Sequence, residues 1–136
     1  MIKSEKQFPD LLANLITRCN KALLKDNKIP AMGLVLDAEN KIETLLSISD
    51  ENNFTEELNA IQRSLKEKTF DEKMEACCIA YPDYKEGVVV IYLENRENYC
   101  TKYLIPVNTE PSLTLDLEKI QEQNGMVYVF PNYEDN

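Results

Sequence analysis

Val88-Val89-Val90-Ile91-Tyr92-Leu93, closed by Glu94, runs into the polar segment Asn95-Arg96-Glu97-Asn98 and then into Tyr99-Cys100-Thr101-Lys102-Tyr103-Leu104-Ile105-Pro106-Val107. Two β-rich stretches joined by a short polar link read as a hairpin. The first stretch is apolar at odd and at even positions, so both of its faces need cover. If the link is a four-residue loop, Glu94 stands opposite Tyr99, Tyr92 opposite Thr101, Val90 opposite Tyr103 and Val88 opposite Ile105. In that register one face carries Val88, Val90, Tyr92, Tyr99, Thr101, Tyr103 and Ile105. Its amphipathic, Tyr-bearing character is that of a contact surface. The opposite face pairs Leu93 with Cys100, Ile91 with Lys102 and Val89 with Leu104, and the buried Lys102 must then snorkel to an edge. The alternative is that residues 113–130 fold over the Tyr-bearing face.

Outward from the hairpin the chain alternates helical and strand patterns. Phe8, Leu11, Leu12, Leu15, Ile16, Cys19, Ala22 and Leu23 make a broad stripe at helical spacing, predicting a helix over about 9–25. Its start is open between a Ser4/Gln7 capping box and Pro9 as first helical residue. Residues 31–37 and 41–49 read as strands around the turn Ala38-Glu39-Asn40. Phe54, Leu58, Ile61 and Leu65 give a narrower helical stripe over about 55–68, with Lys66 and Lys68 in its last turn. Residues 74–81 lead into the central hairpin through a link at 82–86. Pro106 removes a ladder donor and places its end of the strand at an edge. Residues 113–117 alternate like a strand, 116–123 also fit a short helix ending at Gly125, and 126–130 are strand-like. Residues 131–136 read as a frayed acidic tail following one domain over 1–130. The expected fold is α+β, ordered α-β-β-α-β-β-β, then an irregular or short helical piece and a last strand. Two helices should lie on one face of a mainly antiparallel sheet of five to six strands.

Composition narrows function. With 15 Lys and Arg against 24 Asp and Glu, the net charge is −9. Nucleic acid and anionic membrane surfaces are disfavoured, because both are bound through basic clusters. A basic protein is attracted. No apolar run suggests an export signal or a membrane span, so a cytoplasmic location is expected. The four cysteines lack metal-ligand spacing and fit buried thiols. Histidine is absent, which removes Ser-His and Cys-His nucleophile pairs, and the three glycines form no phosphate loop. No catalytic, cofactor or metal residue is therefore assigned. The acidic pairs Asp37/Glu39, Asp50/Glu51, Glu56/Glu57 and Asp71/Glu72 lie in turns or first helical turns, where solvation or capping explains them. Glu94 differs, because it ends an apolar strand where a carboxylate can sit in a site.

The block 76–107 resembles a small family of functionally uncharacterised bacterial proteins. The resemblance lies in an Ala-rich strand, an aliphatic strand closing in Leu93-Glu94, a polar turn, and a strand ending in an apolar residue and Pro106. The family carries His after the Glu and Tyr after the Pro, where this chain has Asn95 and Val107. No activity follows from the resemblance. The expected function is a non-catalytic, acidic protein-interaction module, self-associating or masking a basic partner, of which an immunity-type neutraliser of a toxin is one form. The alternatives are a small-molecule-binding protein and a hydrolase using two facing carboxylates.

Overall fold

A computed structural model describes residues 3–26, 29–46, 54–69, 74–83, 85–109, 114–125 and 129–130. Helix α1 spans Lys3–Asp26 and α2 spans Phe54–Lys68. The strands are β1 Met32–Asp37, β2 Ile42–Leu46, β3 Met74–Asp83, β4 Val88–Asn95, β5 Cys100–Asn108, β6 Thr114–Leu115 and β7 Gln121–Asn124, with a 3₁₀ turn at Leu117–Lys119. The class is α+β and the helix–strand order is the expected one. Every described pairing is antiparallel, in the order β2-β1-β3-β4-β5, with both β6 and β7 pairing β5.

Details shift. Helix α1 begins before Pro9, which sits inside it on the exposed side. The ambiguous stretch resolves into both readings: a short strand, a 3₁₀ turn, then strand β7. Val129 and Phe130 form a bend rather than a strand. The sheet therefore has seven described strands, not five to six. Pro106 falls between the two short partners of β5, since β7 pairs residues 101–104 and β6 pairs 107–108. Its missing N–H is needed by neither ladder. The end of the second strand at 47–49, the pairs Asp50/Glu51 and Asp71/Glu72, residues 126–128 and the tail 131–136 lie outside the described residues.

The placement of both helices on one face is corrected. Phe8, Leu11, Leu15, Cys19 and Leu23 of α1 pack on Met32, Leu34, Leu36, Ala76, Cys78, Ala80, Val89, Ile91 and Leu93. Ile61 and Leu65 of α2 pack on the opposite face, with Val35, Cys77 and Ile79. Alternation along β1 and β3 separates the two sets. The reason is two-sided apolarity: residues 31–36 and 76–80 are all buried, so these strands need a helix on each side. Gly33 lets α2 approach, because a Cβ there would stand 2.9 Å from Ile61 Cγ2. Val129 and Phe130 complete the α2-side cluster. Among the described residues no helix is long and apolar enough to cross a membrane.

Candidate functional site

The central hairpin decides where the candidate contact residues go, and its loop has three residues rather than four. Asn95 N–H donates to Tyr99 O at 3.0 Å and Asn98 N–H to Asn95 O at 3.0 Å, with Asn98 in the left-handed region at φ 64°. The Asn95 side-chain oxygen accepts from the N–H groups of Glu97 and Tyr99 at 3.0 and 3.1 Å. This is a type I turn followed by a left-handed residue, a standard three-residue hairpin connection. Asn95 then faces Tyr99, and β4 meets β5 as Val88↔Pro106, Val90↔Leu104, Tyr92↔Lys102 and Glu94↔Cys100.

A one-residue slip turns every β5 side chain to the other face. The expected seven-residue patch is therefore divided. Thr101, Tyr103 and Ile105 lie beside Leu93, Ile91 and Val89 on the α1 side, whereas Val88, Val90 and Tyr92 lie on the α2 side. Val90 and Ile105 are buried. Lys102 needs no snorkel through the core: its ammonium lies 5.4 Å from the centre of the Tyr92 ring, which itself stacks on Tyr81.

Thr101 and Tyr103, with the exposed Tyr99, line an open cleft of about 850 Å³ between the first turns of α1 and the β5–β7 ribbon. Phe8 and Pro9 form its helical wall, and Cys100, Glu122, Gln123 and Asn124 complete the lining. The β5–β7 register sets Glu122 opposite Tyr103 and Asn124 opposite Thr101. The Thr101 hydroxyl lies 3.3 Å from Glu122 Oε1 and 3.2 Å from Gln123 O. Gly125 closes the ribbon against the backbone of Thr101, where a Cβ would stand 2.8 Å from Thr101 N. Partial burial, and then the charge of Glu122, push the Tyr103 phenol up and keep it protonated. Among the described residues Glu122 makes no ion pair. It is the cleft's one carboxylate among the described residues, so a facing carboxylate pair is not built here. No group of three or more potential metal-ligating side chains occurs among the described residues. What the cleft offers is aromatic surface, one anionic acceptor, the three hydroxyls of Tyr99, Thr101 and Tyr103, and the Asn124 amide.

Sequence reasoning reached Tyr99, Thr101 and Tyr103 and missed Phe8, Pro9 and Glu122. Phe8 reads as one more member of a core stripe. Glu122 sits in Gln-Glu-Gln-Asn, which has no strand propensity or apolar alternation to reveal β7.

A second polar cluster lies on the other face. Glu94 is only 3% exposed. Its Oε1 accepts from Val129 N–H at 2.8 Å and Phe130 N–H at 2.7 Å. Arg96 donates to Met74 O at 2.9 and 2.6 Å and to Thr69 O at 3.4 Å, and its guanidinium lies 5.6 Å from the centre of the Phe130 ring. Asn95 Nδ2 donates 3.1 Å to Gln7 Oε1, tying the turn to α1.

Comparison with protein-family models, with curated proteins and with solved structures returns no match.

Proposed function

We propose that this chain is a non-catalytic acidic interaction module whose contact surface for a basic protein partner is the cleft between α1 and the β5–β7 ribbon. The observation that carries the reading is the juxtaposition of Glu122 with the aromatic lining residues Phe8, Tyr99 and Tyr103. A Lys or Arg side chain entering the cleft meets a carboxylate without an ion-pair partner among the described residues, together with ring faces that attract cations. The net charge of −9 supports the reading by steering a basic partner toward the molecule. Neutralising a basic toxin is a role such a module would serve. The second reading, a small-molecule site, is favoured by the cleft volume of about 850 Å³, which is in the range of ligand pockets.

An NMR titration with an oligo-arginine peptide at low salt tests the proposal. Binding should shift the amide signals of Tyr99, Thr101, Tyr103 and Glu122. It should weaken about tenfold, equivalent to about 1.4 kcal/mol, in Glu122→Gln, and fade at high salt. Equal binding by Glu122→Gln, or shifts that avoid the cleft, would remove the cleft from the reading. Failure to bind at low salt would remove the basic partner as well.

A further inference from the structure

Residues 11–25 of α1 hold three of the chain's 15 Lys and Arg, namely Arg18, Lys21 and Lys25, and none of its 24 Asp and Glu. In a chain of net charge −9 that segment runs against the whole. The spacing i, i+3, i+7 puts the three side chains in one stripe, with axial steps of about 4.5 and 6 Å. Lys21 and Lys25 are exposed and Arg18 is half-buried. Among the described residues none of the three makes an ion pair. The helix itself gains nothing from this arrangement. Arg18 with Lys21, and Lys21 with Lys25, are like-charge neighbours that destabilise a helix. The attraction of cations to a helix C-terminus fades within the last turn, which holds Lys25 but neither Arg18 nor Lys21. Four residues before Arg18, where an acid would form a stabilising pair, stands Asn14, whose Oδ1 accepts from Arg18 Nε at 2.7 Å. That bond steadies the guanidinium and leaves its terminal N–H groups for a further carboxylate. Ala13, Asn14, Thr17, Arg18 and Lys21 line an open depression of about 410 Å³, with Asp10 at its far end, about 12 Å from Arg18 along the axis. Leu24, 89% exposed, stands one turn beyond Lys21.

We propose that this face of α1 is a docking surface for an acidic polypeptide segment of another protein, separate from the cleft and its basic partner. Charge complementarity specifies the occupant. At physiological salt the screening length is about 8 Å, so a carboxylate seated on the stripe is governed by its three cations rather than by distant acids. A short acidic segment matches a stripe with an axial length of about 10.5 Å. A phosphate polymer fits less well: it runs past the stripe over a molecule of net charge −9, and its backbone has no apolar group to set on Leu24.

The test is an NMR titration of the full chain with hexa-glutamate at low salt. Binding should shift the amide signals of Thr17, Arg18, Lys21 and Leu24. It should weaken at least about tenfold in the double variant Arg18→Glu, Lys21→Glu, since each reversal turns a surface attraction into a repulsion. The control is Arg63→Glu, Lys66→Glu, which makes the same change of charge at the same spacing on exposed positions of α2. It should weaken binding less than about threefold. If the α1 double variant fails to fold by circular dichroism, Arg18→Gln with Lys21→Gln replaces it, and a loss of at least about threefold is expected. Equal losses on the two helices overturn the proposal, because net charge alone would then account for binding. Shifts that avoid α1, or no binding to the wild type at low salt, overturn it as well. Tighter binding of a single-stranded oligonucleotide with the same number of charges overturns the choice of a polypeptide partner.

Discussion

Cys19, Cys77 and Cys78 are almost fully buried, while Cys100 is half-buried and stands opposite Glu94 across β4 and β5. Burial pushes the Cys19 thiol up from 9.0 to about 12. Burial, then the Glu94 charge and then Cys78, push Cys77 well up, and burial raises Cys78 too. Each thiol is thus kept neutral in the fold and released as a thiolate on unfolding. Above about pH 9 the unfolded chain has lost protons that the folded chain retains, so stability falls as pH rises toward the folded values. The contribution of the thiols is complete below that range. Thermal melts should therefore be insensitive to thiol titration up to about pH 8 and decline steadily toward about pH 11, with a shallower decline in Cys77→Ala. A disulfide-exchange reagent at neutral pH should modify Cys100 alone in the native protein and all four thiols in denaturant. Rapid modification of Cys19, Cys77 or Cys78 in the native state would refute this packing. That these thiols are buried was legible from their place in apolar runs. That Glu94 lies against one of them was not, because the contact runs across strands β3 and β4.

At the scale of elements, the two hairpin turns share one design. Asp37-Ala38-Glu39-Asn40-Lys41 repeats what Asn95-Arg96-Glu97-Asn98-Tyr99 does. Asp37 Oδ1 accepts from the N–H groups of Glu39 and Lys41 at 2.8 and 2.9 Å, and Asn40 has φ 63°. A side-chain acceptor opens each turn and a left-handed Asn closes it. The first turn reads correctly from sequence as three residues. The shared Glu-Asn ending was the signal that the second has three as well, and reading four turned β5 over. Strand existence was legible here, but register was not, because it depends on a single residue of loop length. Asn40→Gly should be neutral or mildly stabilising, since glycine adopts positive φ freely. Asn40→Ala should cost about 1 kcal/mol, because its Cβ disfavours that region. Urea unfolding distinguishes the two, and equal stabilities would mean that the turn does not depend on its left-handed residue.

At the scale of the molecule, what sequence concealed was the division of labour between the helices. Their stripes were read correctly, broad for α1 and narrow for α2, yet stripe width does not say which face of a sheet a helix covers. The deciding residues are in β1, where Leu34 faces α1 while Gly33 and Val35 face α2. Gly33 is the contact point, with a would-be Cβ 2.9 Å from Ile61 Cγ2 and 3.5 Å from Leu65 Cδ1. Gly33→Ala should therefore overpack the α2 interface and destabilise by about 1–3 kcal/mol. Ile61→Leu moves the branch away from Cβ and removes that Cγ2, so it should make room for the new methyl. The double variant should be more stable than the sum of the single effects predicts, by at least about 0.5 kcal/mol. Gly33→Ala combined with Leu15→Ala, whose side chain lies on the α1 side, should instead be additive within about 0.5 kcal/mol. The contrast between the two cycles measures the two-sided layering directly. Additivity with Ile61 and coupling with Leu15 would put both helices back on one face, and the α2-side cluster that holds Phe130 would lose the floor on which it is built.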